Sequence, residues 1–354
     1  MKKNALRITK TTKVNFATYL MVIVAFIVLQ SMSNAGMLKS ALQGQLVPIC
    51  AYVTMALALN LTVGVLGELS LGHAGFMSVG AFAGAVVASA LRDAVPSPGL
   101  LLAISLVVGA AFAAIAGVLV GIPVLRLNGD YLAIVTLAFG EIIKSLINNL
   151  YIGVDAKGLH SSFVQNTVAL GEGGRMILSG PMGIPGVKKI STFVAGFILI
   201  MIALVIIFNL VNSRSGRAIM ALRDNRIAAE SVGIHVTKYK MMAFVTSAAL
   251  AGAAGALFAL GQNTIVASKF DFNQSILILV FVVLGGQGRM WGSIIAAAAL
   301  TVLPELLREF ADYRMLVYAI VLILVMLLTN NPTLKNFFGA VAAKFRKSEK
   351  GAEA

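Results

Sequence analysis

The residues best suited to chemistry in this chain are a carboxylate and an imidazole inside a glycine-rich stretch. Glu68 and His73 flank Ser70 within residues 64–76, which carry four glycines between two long apolar runs. Ionisable groups at membrane depth are functional candidates, and irregular backbone persists there only where it lines a cavity. The stretch predicts either the lining of a substrate path or a wetted turn at a membrane surface, and the residues alone leave both open.

A second glycine-rich stretch, 284–292, occupies a comparable place between two later apolar runs. It contains Gly285 and Gly286, which would allow a helix to break there. Two interruptions in corresponding positions of two halves indicate an internal duplication around a central path. Chance clustering of glycines is the competing explanation.

Glu141 and Lys144 form a charged pair inside another apolar run. Three residues apart on a helix, they share a face and could form an ion pair. A lone charge in hydrocarbon is costly, so the pair should face protein or water. Structural packing and substrate contact explain the pair equally well.

The sequence does not indicate that this chain itself catalyses a reaction. It contains no Gly-x-x-x-x-Gly-Lys-Ser/Thr phosphate-binding loop, and its three histidines fall in separate regions without metal-ligand spacing. Cys50 is the single cysteine, so thiolates cannot assemble a zinc or iron–sulfur site. We therefore expect no catalytic residue, no cofactor and no metal.

The composition places these residues in a membrane protein. Hydrophobic residues make up 59% of the 354 residues, charged residues only 12%, and the mean hydropathy is +0.92. Soluble domains average about 25% charged residues. Lipid satisfies no backbone hydrogen bond, so a spanning chain must form helices or a closed barrel. The apolar runs are long and lack strand alternation, which predicts an all-α integral membrane protein.

Ten apolar runs are candidates to span a bilayer, which takes about 20 residues. The first ends near Ser33-Asn34-Ala35, which resembles a signal-peptidase site, so a cleaved signal is the alternative to an uncleaved span. The length of this run favours the uncleaved span. The ten predicted spans are 14–33, 45–66, 70–91, 100–123, 131–150, 191–211, 241–262, 274–288, 291–309 and 314–330.

Lysine and arginine counts predict the orientation of these spans. With the N-terminus inside, the inner segments carry eighteen of these residues and the outer segments nine, while Lys144 lies within a span. This bias agrees with the positive-inside rule, and it explains the net charge of +14 without a nucleic-acid partner. Both termini are thus predicted to be cytoplasmic.

The predicted organisation is one membrane domain, 14–330, between a basic cytoplasmic tail, 1–13, and a C-terminal cytoplasmic tail, 331–354. An outer loop, 151–190, contains glycine, serine and proline turns. An inner loop, 212–240, is charged and has a helical pattern.

The inner loop contains a run that predicts a short helix over 215–231. Ser215 or Gly216 could cap its start, and Gly233 could supply the left-handed residue at its end. Such a helix could dock a peripheral subunit or lie on the membrane surface, and the residues do not decide between these. Its arginines would stay in water while apolar contacts come from Ile219, Leu222 and Ile227.

Four stretches resemble LivM-type permeases, which belong to ABC importers of branched-chain amino acids. They are Gly-Glu-Leu-Ser-Leu-Gly-His-Ala-Gly-Phe at 67–76, Tyr-Leu-Ala-Ile-Val-Thr-Leu-Ala-Phe-Gly-Glu-Ile at 131–142, the inner-loop run 216–240, and Gly-Gly-Gln-Gly with Trp-Gly and Leu-Pro-Glu-Leu-Leu-Arg within 285–308. The resemblance covers roughly 45–330 and is weakest in the outer loop and the tails. The first stretch resembles this type more than the sister LivH type.

The resemblance implies a type II importer-like permease fold in the bacterial cytoplasmic (inner) membrane, with ATP hydrolysed by other subunits. Its implied partners, besides the lipid bilayer, are a second permease of the LivH type, two ABC ATPases and an extracytoplasmic amino-acid-binding protein. ATPase coupling would fall to Gly216, Arg217, Leu222, Arg223, Asp224, Asn225, Glu230 and Gly233. The hypothetical substrate path would include Glu68, Ser70, His73, Glu141, Gly285 and Gly286.

Three other functions compete with this interpretation. A permease for another small solute, such as urea, short amides or sugars, fits the same residues. An ion-coupled secondary transporter usually carries paired intramembrane carboxylates, and Glu141 is nearly alone. A membrane scaffold would have no need for interrupted spans.

Overall fold

The computed structural model describes most of the chain between residues 10 and 323. Most of the predicted tenth span, all of the C-terminal tail and most of the N-terminal tail lie outside the described residues. The chain divides into two compact units, Met1–Ala298 and Ala299–Ala354. The described residues are 10–37, 39–92, 94–127, 129–155, 158–163, 174–307, 316, 319–320 and 323.

Helices account for most of the described residues. Within these residues, each of the first nine predicted spans coincides with a helix. The helices are α1 Lys10–Asn34, α2 Ser40–Asn60, α3 His73–Ala90, α4 Pro98–Val124, α5 Asp130–Asn148, α6 Phe193–Asn212, α7 Arg214–Asp224, α8 Arg226–Ser231, α9 Val236–Ala259, α10 Phe272–Gly285 and α11 Met290–Leu306.

Six of the described helices are long and apolar enough to cross a membrane. They are Val14–Asn34 within α1, α2 with its extension to Leu66, α3, α4, α6 and α9. Helices α10 and α11 are apolar but shorter, with 14 and 17 residues. The protein is therefore a mostly helical membrane protein, as the composition predicts.

Helices α3, α4 and α9 pack closely because glycines remove side chains from their contacts. A Cβ on Gly80 would overlap the backbone of Gly252, and one on Gly252 would overlap the Ala113 side chain. Small residues let helix backbones approach in lipid, where van der Waals packing drives helix association. The C-terminal part of α9, residues 250–259, is buried throughout.

The outer loop contains a small antiparallel sheet, which corrects the all-α expectation. The strands β1 Tyr151–Asp155, β2 Gly158–Ser162 and β3 Arg175–Ser179 lie in the order β2-β1-β3. A second pair joins β4, Ile184–Pro185, to β5, Thr264–Ile265, in the connection between α9 and α10. No strand here exceeds five residues, too few for a period-two pattern to stand out among turn residues.

Candidate functional site

The first glycine-rich stretch is a real break between two helices. Helix α2 continues as a π-helical turn, Leu61–Leu66, and Gly67 ends it with a φ of 81°. Glycine adopts this left-handed conformation without the steric cost of a Cβ. Helix α3 begins again at His73. Single π-turns are rare and occur frequently at functional sites.

The second glycine-rich stretch packs directly on this π-turn. The side-chain oxygen of Asn60 accepts a hydrogen bond from the Gly288 backbone nitrogen at 2.8 Å. The Asn60 side-chain nitrogen donates to the Ser293 hydroxyl at 2.9 Å. A Cβ on Gly64 would overlap the Gly288 backbone, so glycine is required for this approach. The two breaks, 224 residues apart in sequence when counted from Gly64 to Gly288, thus form one contact.

The inner loop is attached to the same π-turn by Arg223. The Arg223 guanidinium donates to the Gly64 carbonyl oxygen at 3.1 Å, although it also pairs with Asp224 at 3.0 Å. The stem of Arg223 lies over Gly67, where a Cβ would come within 2.5 Å of the Arg223 Cγ. A π-turn leaves carbonyl groups without their usual helical partner, and Arg223 supplies one.

Lys240 and Glu68 make a second attachment at the same place. The Lys240 ammonium donates to the Glu68 carboxylate, and their side chains are only 4% and 15% exposed. Lys240 lies in the first turns of α9, while Glu68 follows the π-turn. We call residues 60–68, residues 285–289, Arg223 and Lys240 together the junction.

The inner loop folds as two short helices, which corrects the single helix expected over 215–231. Ser213 caps α7 by accepting from the Gly216 nitrogen at 3.1 Å, so neither Ser215 nor Gly216 is the cap. Asn225 breaks the helix and caps α8 by accepting from the Ala228 nitrogen at 3.0 Å. Gly233 has a φ of 84°, the predicted left-handed conformation after the last helix.

The inner loop has its own small apolar core and an exposed apolar rim. Leu222 packs with Ala229 and Val236 in the core, and Ile219 is completely buried. Ile227, expected to make apolar contacts, is instead 80% exposed. Val232, five residues later, is 75% exposed. Single exposed apolar residues are common on protein surfaces, and these two are accessible for contact with another protein.

His73 belongs to a buried polar chain rather than to an open cavity. The Ser247 hydroxyl donates to the Ala58 carbonyl, so it accepts from the His73 Nε2–H at 2.7 Å. His73 Nδ1 then accepts from the Ser70 hydroxyl at 3.0 Å, which makes the imidazole neutral. Ser70 and His73 are each 1% exposed. This series of hydrogen bonds ties the start of α3 to α9 and to α2.

The start of α3 is also sealed by α5 and α10. The Leu71 nitrogen donates to the Thr136 hydroxyl at 3.1 Å, and the Ala74 nitrogen donates to the Ser275 hydroxyl at 3.3 Å. A Cβ on Gly72 would overlap the Thr136 carbonyl. Partners from neighbouring helices thus satisfy backbone groups that the break exposes.

The other predicted path residues lie in two places. Glu141 pairs with Lys144 on α5, as their spacing predicts, and their side chains are 39% and 23% exposed. Gly285 lies against Gly292 so closely that a Cβ would overlap its backbone, and Gly286 turns the chain with a φ of 90°. Glu68, Gly285 and Gly286 therefore belong to the junction, Ser70 and His73 lie in the buried polar chain, and Glu141 belongs to neither.

Three residues of this site were not predicted from the sequence. Asn60 and Ser247 sit in apolar runs where a single small polar residue is unremarkable. Lys240 looked like one more inner-loop cation. Its burial could have been inferred from the apolar sequence that begins directly after it, Met241-Met242-Ala243-Phe244-Val245. Within the described part of the chain, no group of three or more His, Cys, Asp or Glu could hold a metal ion.

The family model and the most similar curated proteins found by comparison name the same family of permeases. The model of the branched-chain amino acid transport system / permease component family matches residues 41–326. The high-affinity branched-chain amino acid transport system permease protein LivM of Salmonella typhimurium is 38% identical over 292 residues, 78% of this chain and 66% of the relative. LivM of Escherichia coli gives the same figures.

A more distant relative has a different solute in its name. The fructose import permease protein FruG of Bifidobacterium longum is 27% identical over 245 residues, 66% of this chain and 67% of the relative. The match to the two LivM proteins spans slightly less than two thirds of their length. No solved structure matches the chain significantly.

The buried pair at the junction generates a stability prediction. Replacing Lys240 by Met leaves the Glu68 carboxylate buried without its partner, which should cost about 3 kcal/mol of unfolding free energy. The double variant Lys240→Met with Glu68→Leu removes both charges and should be more stable than Lys240→Met alone. Thermal unfolding of the purified variants in one detergent measures both effects. If the two substitutions are simply additive, the ion pair does not hold the junction together.

Proposed function

Because the chain belongs to the permease-component family of branched-chain amino acid transport systems, we propose that it is the membrane-spanning permease of an ATP-driven importer for leucine, isoleucine and valine. The importer would lie in a bacterial inner membrane, as in the multi-pass permeases to which the chain is similar. One contact carries the mechanistic part of the proposal, namely the hydrogen bond from Arg223 in the inner loop to Gly64 in the break.

The proposed topology has ten spans with both termini in the cytoplasm. The six long apolar helices, together with α5, α10 and α11, supply the first nine spans. The excess of lysine and arginine on the inner side supports this orientation. The proposed division is a membrane domain, 14–330, an outer loop, 151–190, an inner coupling loop, 212–240, and the two tails.

The proposed partners are a second permease of the LivH type, two ABC ATPases and an extracytoplasmic binding protein. The ATPases would bind the inner loop, where Ile227 and Val232 are exposed beside charged residues. The buried residues of that loop, Gly216 and Leu222, would hold its shape. The remaining coupling residues are Arg217, Arg223, Asp224, Asn225, Glu230 and Gly233.

Movement of the inner loop would reach the membrane through the junction. If ATP-driven closure of the ATPases displaces α7, Arg223 pulls on the Gly64 carbonyl and Lys240 pulls on Glu68. A ligand shifts a conformational equilibrium only by contacts that differ between its states, and these two contacts can differ. The Thr62 hydroxyl in the π-turn is buried without a partner among the described residues, so another conformation of this turn could satisfy it.

The proposed substrate path runs along the two breaks. Glu68, Ser70, His73, Gly285 and Gly286 line or support it, and Glu141 contributes from α5. In this structure Ser70 and His73 are buried, so transport requires the start of α3 to separate from its neighbours. Apolar walls would suit aliphatic side chains, and polar groups freed at the break would meet the charged ends of an amino acid.

A sugar, urea or short amide as the solute is the second candidate. One relative of this chain is named as a fructose import permease, so permeases similar to this chain are named for different solutes. An ion-coupled transporter is less well supported, because the one intramembrane carboxylate on α5 is already paired with Lys144. The higher identity to the LivM proteins favours branched-chain amino acids.

The coupling role predicts two different defects in the inner loop. Arg223→Ala should leave the ATPases bound but lower ATP-dependent leucine uptake at least roughly tenfold, because its link to Gly64 is lost. Ile227→Asp should lose both bound ATPase and uptake, because it charges the exposed docking surface. Affinity purification from the native membrane, followed by uptake in vesicles, measures both quantities.

The matched control is Leu127→Asp, which charges another exposed apolar residue in the short inner connection between α4 and α5. It should keep the ATPases and most of the uptake. If Ile227→Asp still recovers the ATPases in normal amounts, the inner loop is not the docking surface. Purification of the wild-type chain without any ATPase would favour the ion-coupled transporter.

The substrate path predicts a change in solute preference. His73→Ala and Glu68→Gln should lower leucine uptake and alter the ratio of leucine to valine uptake, which a general loss of protein would not do. Isoleucine and valine should compete with leucine in the wild type, whereas urea and fructose should not. Wild-type uptake and an unchanged ratio in both variants, at normal membrane levels, would remove these residues from the path.

A further inference from the structure

A cavity of about 360 Å³ opens beside the junction. The start of α1 and the end of α6 form two of its walls, and the junction forms the third through Val65 and Gly288. Apolar side chains share the lining with polar ones. The polar side chains are Asn15, Thr18, Asn212, Arg289 and Trp291.

The position of this cavity is the level of lipid headgroups. In the proposed topology α1 enters the membrane and α6 leaves it on the cytoplasmic side, and the cavity lies between those two ends. Tryptophan and arginine concentrate at this level because their side chains join an apolar body to a polar end. Trp291 is the single tryptophan of the chain and is 42% exposed.

The charge in the cavity is positive and has no ion-pair partner among the described residues. The Arg289 side chain is exposed and folds back over Gly286. Neither Asp nor Glu lines the cavity, and no carboxylate of the described residues lies within ion-pair distance of Arg289. Arginine holds phosphate well because its planar donors can make two parallel hydrogen bonds.

An apolar surface continues from the cavity along α1. Helix α1 is the least buried of the six candidate spans, with 11% of its apolar window inside the protein. Phe16, Leu20 and Val24 on it are 69%, 54% and 51% exposed. An acyl chain could lie along these side chains while its headgroup occupies the cavity.

We propose that this cavity binds one anionic phospholipid of the inner leaflet, with the phosphate on Arg289 and the glycerol region beside Trp291. Basic pockets between membrane helices on the cytoplasmic side are recognised sites for acidic headgroups. The bound lipid contacts Val65 and Gly288, so it rests against the packed contact between the two helix breaks. The inference uses the proposed orientation of the chain but not its solute.

Tryptophan fluorescence tests this site directly because Trp291 reports from inside it. The full-length protein is placed in nanodiscs of phosphatidylcholine, and a brominated lipid is titrated in. This lipid is either phosphatidylglycerol or phosphatidylcholine, and in both the bromines lie near the headgroup end of one acyl chain. Brominated phosphatidylglycerol should quench at roughly fivefold lower mole fraction than brominated phosphatidylcholine, the preference expected for one arginine at an anionic headgroup.

Two variants separate the site from general attraction to an anionic surface. Arg289→Gln should remove the preference, whereas Arg126→Gln removes an exposed cation from another inner connection and should keep it. Equal quenching by the two lipids in the wild type, or a preference that survives Arg289→Gln, would overturn the proposal. The measurement involves no transport, so its failure would leave the importer proposal standing.

Discussion

Backbone groups released by a helix break inside a membrane must find partners within the protein, because lipid provides none. The break after α2 releases such groups at Gly64 and around Gly67, and the later break does so at Gly288. Arg223 and Asn60 supply the missing partners. The remaining features of the site follow from this requirement, since each partner comes from a different part of the chain and fixes that part against the break.

The same requirement links the inner loop to the helix break. Arg223 can reach the Gly64 carbonyl only if α7 lies against the π-turn. Helix α7 ends at Asp224, one residue after Arg223. Lys240 adds a buried ion pair in the first turns of α9, whose last ten residues, 250–259, are all buried. These two contacts attach the inner loop to the break, and the proposed coupling between loop and membrane depends on them.

Sequence reasoning found the elements of this site but not their partners. Glycine density predicted both breaks, since few other residues adopt the conformations of Gly67 and Gly286. The single polar side chains Asn60 and Ser247 were missed, because a polar residue in an apolar run shows its role only when the opposite helix is known. A single helix was predicted in the inner loop where the structure has two, because asparagine can lie on the surface of a helix as well as cap its start. The outer sheet was missed because its strands are short.

In the proposed mechanism the solute passes along the two breaks, so a reversible cross-link that holds the breaks together should stop transport. Val65 and Met290 line the same cavity from the two breaks, and Cys50 is the single native cysteine. In a Cys50→Ala background, Val65→Cys with Met290→Cys should transport when reduced, lose leucine uptake when oxidised, and recover it on reduction. Undiminished uptake by fully cross-linked protein would contradict the account.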